Sequence, residues 1–368
     1  MKILEITGEP IGSGGQEMFI INVLTHIDLS ELTIDLLTPY YCENEHYKNV
    51  VEQKGGKVTC LGIPFQPGNS RWNIVNPINE YLKNNDYDAV HIHSGSISVL
   101  MLCAMVARWN NIKKIIVHSH CTGYIKNWKY HVLKMLSYPI LRFIPTHYCA
   151  CSVEAGEWKF PQYIVKNKLR VINNGIDLIK FSSNTENRIK YRAKYNISDN
   201  ELLIGHVGRF CYTKNQEFLM RILCSIRDRG IAAKLMLVGG GEDERMLHNL
   251  AEQLKIESYV IFTGVVNNVF DYMQAMDVFA FPSRWEGLGL VAIEAQAVGL
   301  SVVVSDIVPR LAKVSDNIKF ISLKNVDDWI DAIIQLSKYR LKDATESIRR
   351  QGFDINETAA VIREIYFE

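Results

Sequence analysis

The chain has 368 residues, 48% of them hydrophobic and 22% charged, with a formal net charge of +1. Such a length exceeds one ordinary core and points to two domains of soluble, globular composition. The opening MKILEITG carries no extended apolar signal region, no uninterrupted apolar run is as long as a membrane span, and the eight cysteines show no CxxC or zinc-finger spacing. A cytoplasmic protein with scattered reduced thiols is therefore expected, rather than a disulfide-framed or zinc-built one.

In chain order, residues 2–7 predict a buried strand, 8–15 a glycine-rich turn and 19–26 a helix. Gly12, Gly14 and Gly15 do not spell the GxGxxG dinucleotide fingerprint. Further strands are expected at 33–37, 57–61, 89–93, 114–118 and 146–151, with helical patterns between them. That alternation argues a parallel, doubly wound sheet. Asp86-x-Asp88 precedes the strand 89–93 at its amino end and reads as a solvated turn.

Two of these strands finish in histidines, His91-Ile92-His93 and His118-Ser119-His120, where open α/β sheets place ligands. His120, the last residue before its loop, is the better site candidate, while His91 and His118 fit equally the role of satisfied buried histidines. A metal pair on one strand face is conceivable chemistry for His-x-His, but no matching carboxylates accompany the two pairs, which argues against zinc.

Residues 108–170 are dense in Lys and Arg, among them Lys126, Lys129, Lys134 and Arg142, against only Glu154 and Glu157. Aromatic residues such as Trp128 interleave with them, the mixture expected where a surface meets anionic lipid headgroups. A solvated basic face is the alternative, and no nucleic-acid fold signature accompanies the charge. Within 126–142 the expectation is that Trp128, Val132, Leu133, Leu136 and Leu141 enter the interface.

Residues 171–181, with Asn173-Asn174-Gly175, read as a turn, and the polar stretch 182–200 separates the halves. A second α/β pattern follows, with strand runs LIGHVG from Leu202, KLMLVGGG, YVIFTG, VFAFPS and LSVVVSD. The first of these ends on Gly208-Arg209-Phe210-Cys211-Tyr212-Thr213-Lys214-Asn215, before a helix beginning near Gln216. An Arg fork and a mobile Lys at a strand end suit a diphosphate whose charge must be neutralised as a bond to it breaks.

The stretch 277–299 carries the sharpest signal. An apolar strand run ends at Pro282, and Glu286-Gly287-Leu288-Gly289 opens onto a helix over 290–298. A helix N-terminus offers unpaired N–H groups and a partial positive charge, so this turn reads as an anion seat. Glu286 and Glu294 bracket it at a separation of about 12 Å if the segment is largely helical. A close carboxylate pair of the retaining-glycosidase kind needs roughly 5 Å. Each Glu is then expected to address a different end of one long ligand, and a nucleotide sugar has that length.

Taken together, NNGID, GRFCYTKN, LVGGGEDE, FTGVV and FPSRWEGLGLVAIEAQAVG, in this order and spacing, resemble the retaining family 4 glycosyltransferases of the GT-B fold, in particular bacterial capsule and exopolysaccharide transferases. The resemblance implies an α/β protein of two Rossmann-like, doubly wound parallel-sheet domains facing across a cleft. The acceptor-binding domain would be 1–181 and the donor-binding domain 182–349, with a C-terminal helix in 350–368 returning to the first. It further implies a hexosyltransferase-type reaction: a sugar leaves a nucleotide donor, a UDP-sugar, for a lipid-linked or other saccharide acceptor with retained anomeric configuration. No cofactor and no metal is implied, and the place of work is the inner face of the cell membrane, where the protein would sit peripherally.

Carried over by position, the resemblance places Glu286 and His120 beside the donor sugar, with His118 as the neighbouring alternative. Glu294 would hold the ribose hydroxyls, and Arg209 and Lys214, in the loop opened by Gly208, the diphosphate. Amides around Leu288, Gly289 and Leu290 would meet phosphate or sugar, the segment from Phe262 to Val265 the base, and Gly14 and Gly15 would close the donor pocket. Lys126, Trp128, Lys129 and Lys134 would face acceptor and membrane. Pro309-Arg310-Leu311 departs from the acidic residue many relatives carry after the strand that ends near Asp306. Competing readings are a nucleotide-sugar 2-epimerase of similar fold, which would act without an acceptor, and a non-catalytic nucleotide- or lipid-binding adaptor.

Overall fold

Among the described residues thirteen short runs, most of them rich in Ile, Leu and Val, form strands, and in nine of them successive residues are buried on both faces. That pattern is the signature of parallel sheets covered by helices on both sides. The structure is a computed structural model and describes residues 1–12, 14–66, 68, 70–121, 128–341 and 344–368, with the backbone alone at position 129. The chain divides into two compact units, Met1–Gly175 with Gly352–Glu368, and Ile176–Gln351.

The first unit holds β1 (Lys2–Thr7), β2 (Thr33–Thr38), β3 (Val58–Cys60), β4 (Ala89–Ser94), β5 (Lys114–Ser119), β6 (His147–Ala150) and β7 (Leu169–Val171). They pair in parallel in the order β3-β2-β1-β4-β5-β6-β7. The order reverses between β1 and β4, so the loops leaving these two strands diverge and open a crevice at their carboxyl ends. The six strands expected from the sequence all form. β7 was not expected, and only its last residue, Val171, falls in the stretch read as a turn, because three residues at a sheet edge are too few to show an alternating pattern.

The C-terminal helix Ile355–Phe367 packs its buried Ile355, Ala359, Ile362 and Tyr366 against Phe19, Ile20 and Val23 of the helix Gly15–His26. Its end is pinned polar as well. Lys114 Nζ donates to the Tyr366 carbonyl at 2.6 Å, and Glu368 pairs with Arg170 at 2.7 Å.

The second unit holds β8 (Leu202–Val207), β9 (Ala233–Val238), β10 (Val260–Phe262), β11 (Val278–Phe281), β12 (Ser301–Ser305) and β13 (Ile318–Ile321). All pair in parallel in the order β10-β9-β8-β11-β12-β13, and here the reversal falls between β8 and β11. The helices Gln216–Asp228 and Val326–Leu336 cover one face, with Trp329 fully buried between Phe218 and the sheet. Among the described residues no helix is long and apolar enough to cross a membrane.

Candidate active site

In the second unit, the reversal of strand order puts the loops after β8 and β11 side by side, and three contacts stitch them together. Arg284 N–H donates to the Thr213 carbonyl at 2.8 Å, the Asn215 side-chain amide donates to the Pro282 carbonyl at 3.1 Å, and Lys214 Nζ lies 2.5 Å from Glu286 Oε1. Asn215 starts the helix Gln216–Asp228 in the left-handed conformation, φ 58, which turns Lys214 back over the sheet end. The ammonium rests 4.8 Å above the Phe281 ring, and the Gly208 Cα faces its stem. The sequence gives Lys214 and Glu286 separate duties; the geometry makes them one charged unit, with Glu286 only 9% exposed.

Arg209 points elsewhere. Its Nε sits 2.9 Å from Glu242 Oε2, and its side chain is 73% exposed. Exposed pairs of this kind are worth about 0–1 kcal/mol, so the guanidinium is free to exchange a carboxylate for a more highly charged phosphate.

Gly289 caps the helix Leu290–Ala297 with a left-handed φ of 78, which a side chain would strain. A Cβ there would also lie 3.2 Å from Val308 and 3.3 Å from the Phe281 ring. Neither a side-chain cap nor an acidic first-turn residue occupies this helix end, so the amides from Leu290 onward keep their pull on an anion. Two residues on the same helix show what is structural and what is not. Gln296 is buried and fully engaged, with Ala292, Ala312, Val314 and Ser315. Glu294 is also buried, at 6% exposed, yet among the described residues its carboxyl has no side-chain or backbone partner, and burial pushes its pKa up to about 7. A buried carboxyl left without a partner is costly unless a ligand supplies one. Of the pair assigned to the nucleobase, Val265 is exposed, whereas Phe262 stacks on His248 at 3.9 Å and leaves only part of its ring open.

In the first unit, Gly14 caps the helix Gly15–His26, and a Cβ there would meet Glu17 Oε2 at 2.5 Å. The first-turn carboxyl of Glu17 thus folds back over the glycine loop, and burial pushes its pKa up to about 7. The strand-end histidines are neighbours in space: His93 Nδ1 and His120 Nε2 are 2.8 Å apart, and His118 Nδ1 and His91 Nε2 3.3 Å. His91 Nδ1 meets the Tyr366 hydroxyl at 2.9 Å, and that hydroxyl donates to Glu5 Oε1 at 2.6 Å. Glu5 Oε2 lies 2.8 Å from His93 Nε2. Phe19 closes the cluster, 4.9 Å from His118 and 5.2 Å from His120. His118 is wholly buried, whereas His120 is partly exposed with its Nδ1 covered.

Burial pushes the pKa of His91, His118 and His120 well below the ordinary histidine value, lowers that of His93 to about 3, and raises those of Glu5 and Tyr366. One nitrogen each of His91, His93 and His118 lies within 4.8 Å of the others, but both nitrogens of His91 are already engaged, so hydrogen bonds hold the cluster together. Glu5 and Tyr366 are not among the residues singled out from the sequence. The available signal was a carboxylate in the middle of the apolar run KILEIT.

The basic stretch is corrected in two ways. Lys114 and Arg170 are taken up by the C-terminal helix, and Lys159 is 2% exposed, so the charge is not one continuous face. In the helix Trp128–Phe143, Leu141 is fully buried and Leu133 packs on the core, because both lie on the side facing the helix Ile97–Trp109. Outside are Trp128, Val132 and Leu136, joined by Met135 and Phe143, which were not in the set expected to enter the interface, the last 75% exposed. Lys134 borders this apolar stripe, with its Nζ donating to the Glu157 carbonyl at 2.9 Å. Lys126 lies outside the described residues, as does the side chain of Lys129.

Comparison with known proteins gives this geometry its family. The Glycosyltransferase Family 4 model matches residues 13–180 and the Glycosyl transferases group 1 model residues 187–352. EpsF of Bacillus subtilis, named as a glycosyltransferase, is 27% identical over 96% of this chain and 93% of its own length. An Escherichia coli protein named UDP-Gal:alpha-D-GlcNAc-diphosphoundecaprenol alpha-1,3-galactosyltransferase is 25% identical over 78% of this chain and 77% of its own. Among solved structures, Anabaena HepE in complex with UDP superposes with a TM-score of 0.76 at 19% identity, each chain covered in full. With two matched models spanning both units and two parallel sheets of the corresponding fold, the chain belongs to the family 4 glycosyltransferases of GT-B architecture, enzymes that transfer sugar from a nucleotide-activated donor.

Proposed function

We propose that this enzyme transfers a hexosyl group from a UDP-sugar to a lipid-linked saccharide, with retention at the anomeric carbon, in the assembly of a capsular or exopolysaccharide. The observation that carries this reading is Glu294, a buried carboxyl without a protein partner among the described residues, one turn into a helix whose N-terminus has no side-chain cap. A ribose offers the two hydroxyl donors such a carboxylate needs, and a diphosphate suits the amides ahead of it. HepE in complex with UDP-glucose has the same fold, and the Escherichia coli relative is named for a UDP-Gal donor and a diphosphoundecaprenol acceptor.

In the reaction, Lys214 and Arg209 neutralise the charge that grows on the diphosphate as the glycosidic bond breaks. Glu286, held by Lys214, sits beside the sugar and orients its hydroxyls. The acceptor hydroxyl attacks from the face the diphosphate leaves, and the departing phosphate oxygen takes its proton, which preserves the configuration. The two cations and the helix amides supply the positive charge, so no divalent metal is assigned to the step. At the first unit, the exposed stripe of Trp128, Val132, Met135, Leu136 and Phe143 beside basic residues suits an anionic bilayer, where a polyprenyl-linked acceptor resides.

The test is transfer from α-linked UDP-glucose and UDP-galactose to a polyprenyl-diphosphate-linked sugar, with and without a chelator, the product's anomeric signal being read by proton NMR. An α-linked product insensitive to chelation is expected. A β-linked product would overturn retention, and release of a 2-epimer without acceptor would overturn transfer.

A further inference from the structure

Glu5 is 3% exposed in the middle of β1, and among the described residues no Lys or Arg reaches ion-pair distance of it. Its neighbours are the Tyr366 hydroxyl, which donates to Oε1, and His93, whose Nε2 lies 2.8 Å from Oε2 in a contact that is close but not aligned as a hydrogen bond. A lone carboxylate at this depth would be an uncompensated buried charge, costly enough that the group retains or borrows a proton instead. The proton has two places to sit. Either Oε2 keeps it and faces the bare Nε2 of His93, or His93 takes it and becomes an imidazolium beside a carboxylate.

Both arrangements have the same consequence one step on. In each, the other nitrogen of His93, Nδ1, carries hydrogen and points at His120 Nε2, 2.8 Å away. His120 Nε2 must then accept, and a neutral His120 must carry its own hydrogen on Nδ1. That Nδ1 is buried and, among the described residues, has no partner. The second branch, from Tyr366 through His91 to His118, ends on a wholly buried ring, whereas the His93 branch ends on a partly exposed one.

We infer that Glu5 and His93 are positioning residues which, by sharing one buried proton, lock His120 as the Nδ1–H tautomer, so that His120 meets its ligand as a hydrogen-bond donor. The class of ligand atom it takes is an acceptor oxygen: a phosphate oxygen or the lone pair of a sugar hydroxyl. The catalytic consequence rests on the proposed transfer reaction and on the expectation from the family resemblance that His120 lies beside the donor sugar; the tautomer itself does not.

The full-length protein labelled with 15N histidine tests this by NMR, the His120 resonances being assigned by their loss in His120→Ala. In wild type the His120 Nδ1 carries the proton and Nε2 does not. Glu5→Gln, whose neutral amide can donate from the Oε2 position while its carbonyl accepts from Tyr366, keeps that pattern. Glu5→Leu removes the proton source, so His120 becomes a mixture of tautomers and kcat for transfer falls about tenfold or more while KM for the donor changes less than about twofold. A protonated Nε2 on His120 in wild type, or a reversed pattern in Glu5→Gln, overturns the inference, and neither measurement requires Glu5→Leu to fold. If the pattern is as expected but His120→Ala transfers sugar normally, the placement of His120 beside the donor is what fails, and the tautomer assignment stands.

Discussion

Lys214 Nζ lies 2.5 Å from Glu286 Oε1, and this pair ties the loop after β8 to the loop after β11. Removing one partner of a largely covered pair leaves the other without compensation, so the two side chains are energetically coupled. Lys214→Ala is expected to lower kcat/KM for transfer by two orders of magnitude or more, equivalent to about 3 kcal/mol of transition-state stabilisation. Lys214→Ala/Glu286→Ala should lose far less than the sum of the single losses. Additive effects in steady-state kinetics of the four proteins would mean that the pair does not act as a unit.

Arg209 makes the contrasting case, because its partner Glu242 is on the surface. Glu242→Ala should leave stability within about 0.5 kcal/mol of wild type, and donor affinity unchanged or higher, since it frees the guanidinium. Arg209→Ala should lower turnover by two orders of magnitude or more. Near-normal turnover of Arg209→Ala at saturating donor would remove it from the diphosphate site.

Glu294 has a pKa raised to about 7 from 4.5 by burial. The folded state therefore holds this proton more tightly than the unfolded chain. The associated stability is fully present below about pH 4.5 and is lost as pH rises through about 7, on the order of 3 kcal/mol in all. Glu294→Gln, which cannot ionise, should match wild type at pH 4.5 or below and exceed it at pH 8 in thermal unfolding without ligand. Glu294→Ala should also weaken UDP binding in isothermal titration, whereas Glu286→Ala should reduce turnover more than affinity. Equal UDP affinity of wild type and Glu294→Ala would rule out the ribose contact.

Gly289 sits at φ 78 with Val308 and Phe281 about where a side chain would go. Gly289→Ala should cost about 1–2 kcal/mol in chemical denaturation from the backbone conformation alone. It should weaken UDP binding too, because the helix start must shift to relieve the contact. A variant as stable as wild type would mean that this turn adapts freely.

The stripe on the helix Trp128–Phe143 should bind vesicles containing anionic lipid and not neutral ones. Trp128→Ser/Leu136→Ser/Phe143→Ser removes the apolar contribution, and Lys126→Glu/Lys129→Glu/Lys134→Glu the electrostatic part, at about 1 kcal/mol per cation near the surface. Each should abolish co-sedimentation with unchanged circular dichroism. Undiminished co-sedimentation of both variants would place the membrane contact on another face.

What the sequence determined by itself is what near neighbours along the chain dictate. The apolar runs specified the central strands, Gly287 and Gly289 the turn ahead of Leu290, and the spacing of Glu286 and Glu294 one residue in a loop and one inside a helix. Propensity, periodicity and turn chemistry act over a few residues and can be read there. The tertiary structure decided which of these groups meet. Lys214 finds Glu286 only because β11 inserts beside β8 in the sheet, and His91 finds Tyr366 only because the C-terminal helix crosses to the helix Gly15–His26. It also decided that Leu141 faces inward and Phe143 outward on one amphipathic helix, and that Gln296 is satisfied while Glu294 is not. Such outcomes depend on strand order and helix docking, which are set by the burial of the whole core, and no local pattern of residues encodes them.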